Sequence, residues 1–131
     1  MRLIDFEYSN FNIQCSDIGN FFNEFIMDYL PQPPVAPYFN VDKEKYLSID
    51  QQRVFVSIYL SEYLERPVME SNSSELIGEF VDSIDLFSRL SHMTWGLWSI
   101  IRASQGETFD SFDFITYAQF RFDCYFDGNS T

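Results

Sequence analysis

The chain has 131 residues, with 20 Asp and Glu against 8 Lys and Arg and a formal charge of -12, which argues against nucleic acid or anionic membrane, since both need basic patches. Its 46% hydrophobic and 19% aromatic content suits one packed domain rather than a disordered tail. Cys15, Cys124 and the single histidine, His92, support neither a disulfide framework nor a zinc site, so a reduced cytoplasmic setting is expected.

Met1 to Phe6, MRLIDF, reads as a short buried strand running into the polar and aromatic loop EYSNFN. Ser16 and Asp17 offer N-caps for a helix from about Ile18 to Tyr29, stopped by PQPP at 31–34. Residues 30–47 are expected to form a Pro-rich loop. Ser48 caps a second helical run, IDQQRVFVSIYLSEYLE, with an apolar stripe of Ile49, Val54, Phe55, Ile58, Tyr59 and Leu60, and Pro67 ends it. After SNSS at 71–74 the longest helix is expected from about Glu75 to Ser104, with a bend near Gly96. QGETFDS is a turn, and Ser111 or Asp113 opens a last helix through FITYAQFRFDCYF, ending at Gly128. No apolar run approaches the ~20 residues of a spanning helix, and the start of the chain has no signal-peptide pattern.

The inventory is mainly α with one short N-terminal strand, and residues 1–131 form a single segment without repeat or domain boundary. A lone strand leaves its backbone donors and acceptors unpaired. The chain therefore reads as the second half of a larger fold.

Two stretches carry chemistry. Asp5 follows an apolar strand and opens a loop, with Glu7 two residues on. A carboxylate projected from a strand end is how phosphoryl-transfer sites hold magnesium, a hard cation that takes oxygen ligands, although a turn-forming aspartate fits the same position. In TWGLWS, Trp95 and Trp98 stand three positions apart, which places them about 60° apart on one helical face. Such a pair is commonly core; it can also line one wall of a pocket. His92 reads as a satisfied, partly buried histidine rather than a catalyst, and Asp17 as a helix-start carboxylate.

Read together, LIDFEYSNFN, SDIGNFFNEFIMDY, LSHMTWGLWSI and ITYAQFRFDCYF resemble, in order and spacing, the C-terminal portion of choline and ethanolamine kinases. The resemblance implies the mostly helical C-terminal lobe of a protein-kinase-like (α+β) fold. It also implies ATP-dependent phosphorylation of the choline or ethanolamine hydroxyl, for phospholipid headgroup synthesis. Asp5 matches the family's Mg²⁺-ligating aspartate and Glu7 an acidic residue that supports the same site. Glu24, Tyr29, Trp95, Trp98 and Tyr117 match residues that hold the ammonium headgroup, while Phe112 and Phe114 could close that pocket or merely pack. Aromatic faces are the general means of holding a quaternary ammonium, each contributing ~0.5 to 2 kcal/mol. With Glu24 added, the expected affinity is micromolar to millimolar. NEF at 23–25 looks more like the ethanolamine-preferring members and TWGLWSI more like the choline-preferring ones, so the headgroup preference stays open.

The family's nucleotide-binding lobe and its HGD catalytic loop precede the magnesium aspartate, and neither is found in this chain. The chain is therefore expected to be about the last third of a kinase, inactive alone, with ATP bound mainly by the missing part and a homodimer as one admissible assembly. A non-catalytic aromatic-cage module for a quaternary ammonium ligand is the alternative. A third reading treats every aromatic as core and the chain as a helical scaffold for a basic partner.

Overall fold

The computed structural model describes residues 10–29, 31, 36–106 and 112–127. Helix α1 (Gln14–Glu24) leads through a turn into strand β1 (Met27–Asp28), which pairs antiparallel with β2 (Asn40–Val41), Met27 opposite Val41 and Asp28 opposite Asn40. A 3₁₀ turn (Lys43–Lys45) precedes α2 (Ile49–Tyr63), α3 (Glu70–Ser104) and α4 (Phe114–Asp127). The mainly helical reading holds. The strand expected over Met1–Phe6 lies outside the described residues.

Helix α1 begins and ends earlier than its sequence suggests. Ile13 is its N-cap and supplies no side-chain bond, Ser16 and Asp17 lie within its first turns, and Phe25 closes it. Tyr29 is thus not on the helix; it follows β1, and the small sheet turns it back toward the rest of the molecule. The Pro-rich segment is likewise not all loop, since it contains β2 and the 3₁₀ turn.

Helix α2 starts as read, with Ser48 and Gln51 forming a reciprocal capping box. Its orientation matches the expected stripe in part, since Leu60 is buried and Phe55 and Tyr59 pack against the core. Gln52, Val56 and Leu60 face inward, whereas Ile49, Val54 and Ile58 are exposed. The inward set recurs at every fourth position, and the buried Gln52 is tolerated because its side-chain amide donates to the Leu47 carbonyl at 2.8 Å.

Helix α3 runs 35 residues, about 52 Å at 1.5 Å per residue. Its one non-helical residue is Ser73 (φ -150°, ψ 28°), so the irregularity lies near the N-terminus and not at Gly96. Arg53 of α2 ties that irregular start down, donating to both carboxylate oxygens of Glu70 at 2.6 and 2.9 Å and to the Ser74 carbonyl at 3.0 Å.

One core lies where α1, α2 and α3 meet, built from Cys15, Ile18, Phe22, Val56, Leu60, Val68, Ile77, Val81 and Ile84. Gly19 permits the close crossing of α1 on α3, because a Cβ there would stand 2.7 Å from the Ser88 backbone nitrogen. Beside it, Asn23 donates to the Ser88 carbonyl at 2.9 Å and accepts from the Ser88 hydroxyl at 2.6 Å, so the buried amide is satisfied. Further along α3, His92, Gly96 and Ser99 form the buried face packed against α4. Among the described residues no helix is long and apolar enough to cross a membrane.

Candidate functional site

Four elements converge at the C-terminal half of α3. The end of α1 brings Asn20 and Glu24, the residue after β1 is Tyr29, α3 supplies His92, Trp95 and Trp98, and the first two turns of α4 supply Tyr117 and Arg121. Asp113 fixes the start of α4. Its carboxylate accepts from the backbone of Ile115 and Thr116 and from the Thr116 hydroxyl, at 3.1, 3.0 and 2.6 Å, and these bonds, led by that of the Thr116 side chain, hold its pKa below the usual carboxylate value. Ser111, the other cap considered, lies outside the described residues.

The structure joins three of the sequence-predicted residues directly. The Tyr29 hydroxyl donates to Glu24 Oε2 at 2.8 Å and lies 3.2 Å from the Tyr117 hydroxyl. The organising group is one the sequence reading missed. Arg121, fully buried, directs Nη2 at Glu24 Oε1 (2.9 Å), the Tyr29 hydroxyl (3.2 Å) and the Tyr117 hydroxyl, while Nη1 lies 3.1 Å from His92 Nδ1. A guanidinium has no acceptor, so His92 Nδ1 must accept. His92 is therefore satisfied, as its sequence context suggested, and more deeply buried than expected.

The electrostatics follow from this packing. Burial pushes the Tyr29 hydroxyl well above its ordinary pKa, with the neighbouring Tyr117 hydroxyl and Glu24 adding to it and Arg121 opposing. Burial also raises Tyr117, against the opposing pull of Arg121. For Arg121 itself burial favours the neutral form, but Tyr117, Tyr29 and Glu24 together outweigh it and hold the guanidinium charged. The cluster thus contains one buried cation, one partly exposed carboxylate and two neutral phenols.

The tryptophans form a second group. Their rings meet edge to face, centroids 5.4 Å apart, and both are half-buried. Trp95 Nε1 donates to Asn20 Oδ1 at 2.7 Å, and Ser91 donates to the same oxygen at 2.7 Å, so Asn20 sets the Trp95 ring. The Arg102 guanidinium lies over the Trp98 ring, 5.1 Å from its centroid. Ring contacts connect the groups: Trp98 to Phe114 (5.7 Å), Phe114 to Phe112 (5.1 Å), Phe112 to Tyr117 (5.3 Å) and Tyr117 to Tyr29 (6.3 Å). Phe112 and Phe114 are thus the bridge between the two groups.

Asp5 and Glu7 lie outside the described residues. Among the described residues no group of three or more His, Cys, Asp or Glu is placed to hold a metal ion. A signal for Arg121 exists in hindsight. It is the lone charged residue of FITYAQFRF, four positions after Tyr117, in a chain with only 8 basic residues. Nothing comparable marks Asn20.

The family model described as choline/ethanolamine kinase matches residues 1–126. Mouse choline kinase alpha is 40% identical over 97% of this chain, which spans 28% of that relative. Mouse ethanolamine kinase 1 is 34% identical over 96% of this chain, which spans 32% of it. The crystal structure of choline kinase from Cryptosporidium parvum Iowa II superimposes with a TM-score of 0.82 at 37% identity, covering 96% of this chain and 32% of that one. The chain therefore spans about a third of the length of these relatives, and its helices correspond to part of a protein-kinase-like fold. With the match extending over nearly all its residues, the chain belongs to the choline/ethanolamine kinase family.

Proposed function

We propose that the chain is the C-terminal third of a choline/ethanolamine kinase and supplies its ammonium-headgroup site and its magnesium-binding acid. The observation that carries the reading is the meeting of Glu24, Tyr29 and Tyr117, drawn from three separate elements, with Trp95 and Trp98 joined to them through Phe112 and Phe114. Aromatic faces beside a carboxylate suit an ammonium ligand. A helical scaffold in which every aromatic is core would not require a half-buried tryptophan pair joined through Phe114, Phe112 and the two tyrosines to a solvent-reaching glutamate.

In this reading Asp5, supported by Glu7, holds Mg²⁺, which would neutralise charge developing on the transferred phosphoryl group of ATP. The chain spans about a third of its relatives' length, and in this reading it contributes headgroup binding to an enzyme whose remaining part contributes the nucleotide-binding residues. The five headgroup residues orient the choline or ethanolamine and exclude water from its ammonium end. The roles separate in an experiment on the enzyme containing this segment. Asp5→Asn is expected to lower kcat by two or more orders of magnitude while leaving headgroup affinity nearly unchanged, since a charge-stabilising group acts mainly in the transition state. Equal losses in both would overturn this division of roles.

A further inference from the structure

Asn20 stands at the crossing of α1 on α3 that Gly19 makes possible, where a Cβ on Gly19 would lie 2.7 Å from the Ser88 backbone nitrogen and hold the two helices apart. That close approach suits a short side chain. The Asn20 amide reaches α3 and meets two donors, the Ser91 hydroxyl and the Trp95 indole Nε1, each 2.7 Å from its Oδ1. Ser91 and Trp95 are four positions apart on α3, and so lie about one turn apart on the same face. An indole nitrogen only donates, so the amide atom facing Trp95 must be the oxygen, and its two lone pairs take the two bonds. The amide is thereby fixed in one orientation and fixes the indole in turn.

The plane of the indole matters because an aromatic ring is negative on its faces and positive at its edge. A cation gains from such a ring only over a face, within about 6 Å of the centroid, and the torsion that turns the ring has broad wells of its own. The Trp95 and Trp98 rings meet at an interplanar angle of 78° with centroids 5.4 Å apart, so a turn of Trp95 also displaces its contact with Trp98. We infer that Asn20, with Ser91 as its second donor, is a positioning residue for the headgroup site, which holds Trp95 with its face rather than its edge toward the ammonium ligand. The inference rests on the headgroup reading above and adds to it a residue that acts through Trp95. Without the Asn20 oxygen the indole N–H is free to turn toward water, and the face turns with it.

The test is a double-mutant cycle on choline binding by the 131-residue chain, read by calorimetry, with the indole N–H signals followed by NMR. Asn20→Leu keeps the shape of the side chain and removes the acceptor. It is expected to weaken choline by about three- to tenfold, the order of one aromatic face, and to move the Trp95 indole proton upfield in the free chain. Asn20→Asp keeps an oxygen for each donor and adds a charge, so it is expected to bind choline at least as tightly as the wild type. In a Trp95→Phe background, which has no indole N–H, Asn20→Leu is expected to cost little further, because the bond it removes is already gone. A merely structural Asn20 would lose the same factor in both backgrounds. If Asn20→Leu does not fold, Asn20→Ala takes its place in the cycle. Unchanged affinity in the folded variant, an equal loss in the Trp95→Phe background, or an Asn20→Asp as weak as Asn20→Leu would overturn the inference while leaving the headgroup site standing. Failure of the wild-type chain to bind choline would overturn the headgroup reading and this inference with it.

Discussion

Tyr29 and Tyr117 stand 88 positions apart in the chain and place their hydroxyl oxygens 3.2 Å from each other, beside a buried guanidinium. Both phenols are held above their ordinary pKa of 10.0, chiefly by burial. A raised folded pKa means that the stability they contribute is fully present below about pH 10 and is lost as pH rises above it, because the unfolded chain then releases protons that the folded chain keeps. Thermal melts are expected to be flat with respect to these groups through neutral pH and to fall above about pH 10, by up to ~1.4 kcal/mol per pH unit for each tyrosine. Tyr117→Phe should shallow that alkaline slope. An unchanged slope would show that the phenols ionise as freely in the folded protein as in the unfolded one.

Two glycines permit close packing against α3, and they should not tolerate alanine equally. At Gly19 the added Cβ would stand 2.7 Å from the Ser88 backbone nitrogen and 3.0 Å from the Ile84 carbonyl oxygen, atoms that move only with the helix. At Gly96 the nearest atoms are the Phe122 ring, at 2.6 Å, which can swing. Gly19→Ala is expected to destabilise by about 2–3 kcal/mol despite the better helix propensity of alanine, and Gly96→Ala by about 1 kcal/mol. Urea denaturation of the two variants would check the order.

Asp113 offers an acid-side counterpart. Its depressed pKa places its stabilising effect above the ordinary carboxylate value, to be lost as pH falls through the folded value. Asp113→Ala should cost about 0.5–2 kcal/mol at neutral pH and little once the wild-type carboxylate is protonated. A stability difference that persists undiminished in acid would contradict the capping role.

If Trp98 presents a face to the ligand, its substitution should separate binding from folding. Trp98→Leu is expected to weaken choline about tenfold, and Trp98→Phe by less, with the phenylalanine variant melting near the wild type. Loss of stability without loss of affinity would place Trp98 in the core.

Much of the helical frame could be read from the sequence because local signals are strong there. Ser48 with Gln51 three residues later marks the start of α2, and the absence of proline from 75 to 104 lets α3 run on unbroken beyond its irregularity at Ser73. The boundaries of α1 were less legible, since Ile13 caps it without a side-chain bond and the chain turns at Phe25 without glycine or proline. The inward face of α2 was read correctly at Phe55, Tyr59 and Leu60 and wrongly at Val54 and Ile58, which form an equally regular apolar row that remains exposed. The spacing of Trp95 and Trp98 marked a candidate pocket wall by itself, whereas Glu24, Tyr29 and Tyr117 could be named only through family resemblance. Arg121 escaped because its partners lie 97, 92 and 29 positions away in addition to the local Tyr117, and pairings of that kind exist only after folding.

The central claim is that the clustered aromatics form an ammonium-headgroup site. It is tested most directly by following the two indole N–H signals of the 131-residue chain by NMR during a choline titration. The account predicts that both indole signals and the Arg121 side-chain resonances move together and saturate at micromolar to millimolar choline. Saturable shifts confined to other residues, or none at all, would contradict it.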